Sequence, residues 1–335
     1  MTTDSDRTKD ATILVTGGAG YIGSHAVLAL LDAGRRVVVL DNLVTGFRSA
    51  VPEGAAFVEG NVGDPAVVGR VLAEHKVHAI LHFAGSVVVP ESVTDPLKYY
   101  GNNTVNSRSL IESAVEAGVR HFLFSSTAAT YGIPDSVPIA EDAPTRPINP
   151  YGMSKLMTEA MLKDVAAAHP INYMALRYFN VAGADPAGRA GQSTAGATHL
   201  IKVAVEAATG KRDAVSIFGD DFATPDGTGV RDYIHVSDLA AAHVAALDAL
   251  IAEPERSDIL NCGYGRGFSV REVLDAVDRV AGTPIRRITG PRRPGDPDCL
   301  VADNRRLLAR LGWRPRHDDL DGIVRDALAW ERTLG

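Results

Sequence analysis

Residues 12–23 read Thr-Ile-Leu-Val-Thr-Gly-Gly-Ala-Gly-Tyr-Ile-Gly, and the eight that follow, Ser24 to Leu31, have helical character. A β-branched apolar run that stops at glycines and passes into a helix reads as strand, turn, helix. Gly17, Gly20 and Gly23 permit a tight turn, close approach of backbone to a pyrophosphate, and close packing of helix on strand. The helix N-terminus beside them attracts phosphate charge. The spacing is G-x-x-G-x-x-G, not the G-x-G-x-x-G of many dehydrogenases. A glycine turn alone is only a turn; the flanking strand and helix are what favour nucleotide binding.

Working outward, the run Arg36 to Leu40 predicts a second strand ending at Asp41. A carboxylate there can accept from adenosine ribose hydroxyls and repels a 2′-phosphate, which favours NAD over NADP; the alternative is a loop-capping aspartate. A third strand, Ala56 to Glu59, leads to Asn61 and Val62, and Asp64-Pro65 starts a helix running to about His75. A fourth, His78 to His82, ends in Phe83-Ala84-Gly85, small enough for a dinucleotide to lie close. A helix from about Asp95 to Gly118, with Asn102 and Asn103 inside it, precedes a strand at His121 to Phe124. This alternation predicts an α/β fold with a Rossmann-type doubly wound parallel sheet, its ligands at the carboxyl ends of the strands.

At one such end stands Ser125-Ser126-Thr127-Ala128-Ala129. Its hydroxyls could merely satisfy a turn. Asn149 and Pro150 then read as N-cap and first position of a helix that opens Tyr151-Gly-Met-Ser-Lys155 and returns to a strand at Asn172 to Tyr178. Tyr151 and Lys155, four apart, share one helix face, so the ammonium can sit beside the phenol and favour its ionised form. The plainer alternative is a solvated amphipathic face.

The chain has 335 residues and 45% hydrophobic content, enough for a substantial core. Its 34 basic and 41 acidic side chains give a net charge of −7 without any basic run, which argues against a nucleic-acid surface; an anionic ligand would need local arginines. Cys262 and Cys299 are too few for a disulfide framework or a four-ligand zinc site, and His78 and His82 lack metal-ligand spacing, so no metal is expected. His235 reads as a core histidine. Residues 1–10 read as a disordered tail without signal-peptide character, and no run of about 20 apolar residues suggests a membrane span. A cytoplasmic location is expected.

Together, Gly17 to Gly23, Phe124-Ser-Ser-Thr127, Tyr151/Lys155, Tyr178-Phe179-Asn180, Gly227-Thr-Gly-Val-Arg231-Asp-Tyr-Ile-His235-Val and Arg293-Pro-Gly-Asp296 carry a resemblance. Over nearly the whole chain after the tail, the sequence resembles the extended short-chain dehydrogenase/reductases that act on nucleotide sugars. The resemblance implies that Tyr151 is the catalytic base, that Lys155 holds the nicotinamide ribose and depresses the tyrosine pKa, and that Thr127 hydrogen-bonds the sugar O4. It implies NAD contacts from the glycine turn with Tyr21 and Ile22, from Asp41 and Asn42, Asn61 and Val62, Phe83, Ala84 and Gly85, Asn102 and Phe179. The UDP-sugar would fall to Asn180, His199, Ser216, Phe218, Arg231, Arg293, Asp296 and Leu300. Arginine suits a diphosphate because its planar fork makes paired charge-assisted bonds.

Some positions depart from the family. Asn61 stands where relatives commonly have aspartate, and its amide oxygen can still accept from the adenine amino group. Val87 and Pro90 replace a lysine and a glycine, so contacts made by that lysine do not carry over. Ala128 and Ala129 stand where 4,6-dehydratases have Asp-Glu, leaving a 4-keto intermediate little route but hydride return. The resemblance therefore implies interconversion of UDP-glucose and UDP-galactose by reversible oxidation at C4. Leu300 is intermediate between the tyrosine of relatives restricted to those sugars and the smaller residues of relatives that take N-acetylated ones. UDP-GlcNAc and UDP-GalNAc are thus an alternative pair; a dehydratase or decarboxylase and a non-catalytic NAD sensor are others. The expected division is a dinucleotide domain of 11–179 plus 232–265, with Tyr233 to Val236 its returning strand, and a smaller α/β UDP-sugar domain of 180–231 plus 266–335. Relatives are usually homodimers packed through the helices that here contain Asn102–Gly118 and Tyr151–Ala168, which implies a homodimer here.

Overall fold

The structure is a computed structural model describing residues 11–194, 196–293 and 295–335; the expected tail, 1–10, lies outside them. The strands are β1 (Thr12–Thr16), β2 (Arg36–Asp41), β3 (Ala56–Glu59), β4 (Val77–His82), β5 (His121–Thr127), β6 (Asn172–Tyr178), β7 (Asn180–Ala182), β8 (Val215–Phe218), β9 (Val230–Arg231), β10 (Tyr233–His235), β11 (Asp258–Cys262), β12 (Phe268–Ser269), β13 (Arg287–Gly290) and β14 (Cys299–Leu300). Seven of them form one sheet in the order β11-β6-β5-β4-β1-β2-β3. Every pairing in it is parallel. Strand order reverses between β1 and β4, where a doubly wound sheet opens a crevice at its carboxyl edge.

Both faces of this sheet are covered, and the strands are accordingly apolar on both sides. On one face Val15, Leu123, Met174 and Leu176 pack with Val27 and Leu30 of helix α1 (Tyr21–Asp32) and with Leu239 and Leu247 of a later helix, Val236–Ala252. On the other, Leu14, Phe122, Phe124 and Ala175 pack with α2 (Pro65–Glu74), α3 (Asn106–Glu116) and α4 (Pro150–Ala168). A third core gathers around Ile217, Val273, Leu274, Ile323 and Val324, between the helices Leu200–Ala208, Val270–Ala281 and Leu320–Thr333. No helix among the described residues is long and apolar enough to cross a membrane.

Helix starts follow the sequence signals. Asp64 accepts from the amides of Ala66 and Val67 ahead of Pro65, and Asn149 accepts from Gly152 ahead of Pro150. Two expectations need correction. The segment after Asp95 is not one α-helix: Tyr100–Val105 winds as a π-helix ahead of α3. The strand returning to the large sheet is β11, whereas β10 pairs with β7 in a separate two-stranded sheet. Tyr233–His235 is too short and too close in sequence to β9 to reach the far edge; the helix Val236–Ala252 supplies the crossover that β11 needs.

Candidate functional site

The turn after β1 lies at the reversal point. Gly17 has φ +70°, and a Cβ on it would stand 2.6 Å from the amide nitrogen of Ala84, in the loop after β4. A Cβ on Gly23 would stand 2.1 Å from the Gly17 carbonyl oxygen, so the helix can sit this close only without a side chain there. Gly23→Ala is therefore expected to destabilise the fold by about 2 kcal/mol through overpacking. A thermal midpoint equal to that of the parent would contradict it. Gly20 caps α1 without a side-chain cap bond, leaving the first amides of the helix available to an anion. Asp41, at the end of β2, accepts from the amides of Ala19 (3.0 Å) and Leu43 (2.8 Å), tying the end of β2 to the glycine turn. A carboxylate has lone pairs to spare for two hydroxyls beyond those bonds. These features fit a dinucleotide.

The remaining expected cofactor residues line the same edge. Asn61 is exposed after β3 and accepts from Gly63 N at 2.8 Å, and Val62 is buried beside it. Phe83, Ala84 and Gly85 continue β4, and Phe179 follows β6. Asn102 donates to Ser86 Oγ at 2.9 Å. Its neighbour Asn103, to which the sequence reading gave no role, does more. Asn103 is buried, accepts from Ser86 N (2.7 Å), and donates to Ser86 O and to Ser154 Oγ (both 3.0 Å). It thus fastens the loop after β4 to the helix carrying Tyr151 and Lys155. The π turn aims two consecutive asparagines at that loop, a use typical of π segments near functional sites. A run of Asn-Asn in a helix with poor helix formers was the one available signal.

At the end of β5, Thr127 caps the short turn Ala128–Thr130, accepting from Ala129 N at 3.2 Å. Tyr151 and Lys155 are only 7% and 3% exposed, so the solvated-face alternative fails. Burial raises the Tyr151 pKa, and its contact with Thr127 opposes that rise by a smaller amount. Lys155 Nζ donates to Ser125 O at 3.0 Å and lies 4.9 Å from the Phe124 ring centre. Burial brings its pKa down to about 8, with Glu159 opposing. Beside Thr127 the surroundings are apolar: Ala128 packs with Tyr131 and Ile139, and Phe179 and Leu300 lean on the same cluster.

Of the residues expected to hold the UDP-sugar, Asn180, Ser216, Phe218, Arg231 and Leu300 sit on the smaller sheets, while Arg293 and Asp296 lie in the loop before β14 and His199 is the N-cap of the helix Leu200–Ala208. Arg231 Nη2 is 2.5 Å from Asp296 Oδ1, and Leu300 stands opposite Arg231 in the β14–β9 pairing. Ser216 and Phe218 point outward from β8, and the Arg293 guanidinium lies 3.9 Å above the Phe218 ring centre. Asn180 opens β7, its amide donating to Asp232 O at 3.0 Å. His199 is not joined to these by any hydrogen bond among the described residues; its Nδ1 lies 3.0 Å from Gln192 Nε2. Asp232, next to Arg231, was missed. It is wholly buried, and its carboxylate accepts from the amides of Tyr264, Gly265 and Ala302, knotting the loops that carry Arg231 and Leu300.

His235 is buried as the sequence suggested, and it has a further use: Nδ1 accepts from Ser237 N at 3.0 Å, capping the following helix. With His317 and Asp326 it makes a group of potential metal ligands. The Ser237 bond, however, requires a lone pair on Nδ1, which puts the proton of the neutral ring on Nε2, facing Asp326 at 3.2 Å. That tautomer suits a hydrogen bond rather than a metal.

Residues 13–263 match the NAD dependent epimerase/dehydratase family. A UDP-glucose 4-epimerase from Azospirillum brasilense is 58% identical over 322 residues, covering 96% of this chain and 92% of the relative. Two solved structures superpose closely. A UDP-glucose 4-epimerase from Stenotrophomonas maltophila, with bound NAD and formylated UDP-arabinopyranose, gives a TM-score of 0.93 at 40% identity, covering 97% of this chain and 98% of that one. One from Bifidobacterium longum, in complex with NAD+ and UDP, gives 0.92 at 39% identity, covering 96% and 98%.

Proposed function

The chain belongs to the NAD dependent epimerase/dehydratase family, and from that premise we propose that it interconverts UDP-glucose and UDP-galactose, with tightly bound NAD, by transient oxidation at C4 of the sugar. The observation that carries this reading is the meeting of Tyr151, Lys155 and Thr127 at the end of β5, where the next two side chains are Ala128 and Ala129. Tyr151, as the phenolate, takes the proton of the C4 hydroxyl and becomes the phenol, Lys155 supplies the positive charge that favours that phenolate beforehand, and Thr127 holds O4. When bound, NAD supplies a hydride acceptor that becomes the donor in the return step. Once the 4-ketopyranose has turned over, Tyr151 gives its proton back to O4, and return of the hydride to the opposite face would invert C4. With alanines beside Thr127, no second acid–base pair stands there to eliminate water.

NAD would be held by the Gly17–Gly23 turn and the α1 N-terminus, by Asp41 with Asn42, by Asn61 and Val62, and by Phe83 to Gly85, Asn102, Lys155 and Phe179. Arg231, Arg293 and Asp296, with Asn180, Ser216 and Phe218, would hold the UDP, and Leu300 would border the sugar. The reading includes a homodimer, supported by Leu97, Val105 and Met157, all exposed on neighbouring helical segments; sedimentation as a monomer would reject it. It also includes a cytoplasmic location, suited by two cysteines that are not paired.

The test is conversion of UDP-galactose to UDP-glucose by the purified protein without added reductant; no conversion at high enzyme concentration sinks the reading. A pH dependence follows as well. Lys155 is charged below a pKa of about 8 and neutral above it, so kcat/KM is expected to fall on the alkaline side with a limb near that value. A flat profile to pH 9.5 would show that this charge is not needed.

A further inference from the structure

Helix α4 carries Tyr151, Lys155 and a third residue on the same stripe, Glu159, four further on and 2% exposed. The three meet three successive residues at the end of β5. Tyr151 faces Thr127, Lys155 Nζ donates to Ser125 O, and Glu159 Oε1 accepts from Ser126 Oγ at 2.5 Å. Glu159 is oriented in turn by Arg177, whose Nε and Nη2 donate to it at 3.0 and 2.6 Å. Arg177 stands directly opposite Ser126 in the β5–β6 pairing, so both side chains leave the sheet on the face that α4 covers. Behind the guanidinium, the Tyr131 ring lies 4.8 Å away, and Tyr131 OH donates to Asn261 Oδ1 at 2.7 Å. A buried carboxylate placed between one cation on its own helix and another on the sheet is costly unless it is fully bonded. Here it is, and its bonds tie the helix to Ser126 on the strand that carries Thr127 and to Arg177 on β6 beside it.

We propose that Glu159, held by Arg177, is a positioning residue: through Ser126 and its charge on Lys155 it fixes the end of β5 in register with the Tyr151 helix and keeps the Lys155 ammonium charged. The inference rests on the reaction proposed above. A carboxylate four residues from Lys155 favours the cationic form of the amine, and burial works against it. The other titratable groups around Lys155 are Tyr151 on the same helix, His82 on β4, which Lys155 itself disfavours as a cation, and Tyr178 on β6, bonded to Ser125 Oγ at 2.7 Å. None of these is a carboxylic acid, which leaves Glu159 as the acidic side chain that opposes the effect of burial on Lys155.

Three variants, assayed beside the parent enzyme with UDP-galactose, test this. Ser126→Ala removes only the hydrogen bond and is expected to lower kcat about fivefold at unchanged KM, as the loss of one buried bond to a charged group would. Glu159→Gln is expected to move the alkaline limb of kcat/KM down by about one pH unit, since Lys155 loses its counter-charge. Glu159→Asp keeps the charge, and its limb should stay within a few tenths of a unit of the parent's, whatever happens to kcat. Parental kcat in Ser126→Ala, or a limb unmoved in Glu159→Gln, overturns the proposal; if Glu159→Gln does not fold, Ser126→Ala decides. An inactive parent enzyme would instead reject the reaction itself, so the two failures are told apart.

Discussion

Tyr151→Phe is expected to reduce turnover of UDP-galactose by about 10³-fold while the protein keeps its thermal midpoint to within a few degrees and retains its NAD. The size follows from the role: a positioned general base contributes about 10² to 10⁴ in rate, and Phe leaves nothing on that ring to take the C4 proton. The mildness for the fold follows from geometry. The Tyr151 ring packs edge-on to Tyr99 with centroids 6.5 Å apart, and Phe keeps that contact. Only the hydroxyl beside Thr127 is lost, and Thr127 still serves Ala129 N as a turn cap. The cost is no more than about 1 kcal/mol, the usual net worth of one hydrogen bond. Turnover within tenfold of the parent would remove Tyr151 from its role. A collapse of stability with bound NAD lost would mean that the hydroxyl is structural. Because burial alone raises the Tyr151 pKa, whatever draws the proton off must act locally, and that sharpens the test at Lys155.

Much of this site was legible because its signals are local. The glycine turn, Asp41 at the end of β2, the Asn149-Pro150 start and the Tyr/Lys pair each state a backbone need or a helix-face relation within a few residues. What could not be read depends on pairings across the chain. Nothing near Glu159 announces that Arg177 and Ser126 will meet it, since that requires the β5–β6 register. Asp232 looks like part of an arginine motif until Tyr264, Gly265 and Ala302 turn their amides to it. The π segment escaped for a different reason: periods of 3.6 and about 4.4 residues diverge too little over six positions to separate in a sequence. The assignment of Tyr233 to the returning strand failed because a short β-branched run fits any edge, and only topology chose β7 for it.

Arg231→Met is expected to raise KM for UDP-galactose about 100-fold while kcat stays within about threefold. The protein carries a net charge of −7, so a nucleotide diphosphate must be received by local cations. Arg231 is suited to this: its side chain is 12% exposed, Nη1 donates to Val230 O at 2.8 Å, and Nη2 is held by Asp296. Those bonds fix the guanidinium plane, so little entropy is lost when it forks onto phosphate oxygens. Each charge-assisted bond lost costs about 1.5 to 3 kcal/mol, and Met preserves the apolar stem while removing the fork. The contribution belongs to ground state and transition state alike, because the diphosphate does not react; this is why KM should carry the effect. Asp296 makes the test sharper. Without Arg231 its carboxylate repels the diphosphate, so adding Asp296→Asn to Arg231→Met should recover part of the lost affinity, although Asp296→Asn alone weakens binding. If Arg231 and Asp296 were an ordinary surface ion pair, Arg231→Met would shift the melting point slightly and leave KM within twofold. That outcome would move the diphosphate site elsewhere, with Arg293 the next cation to try.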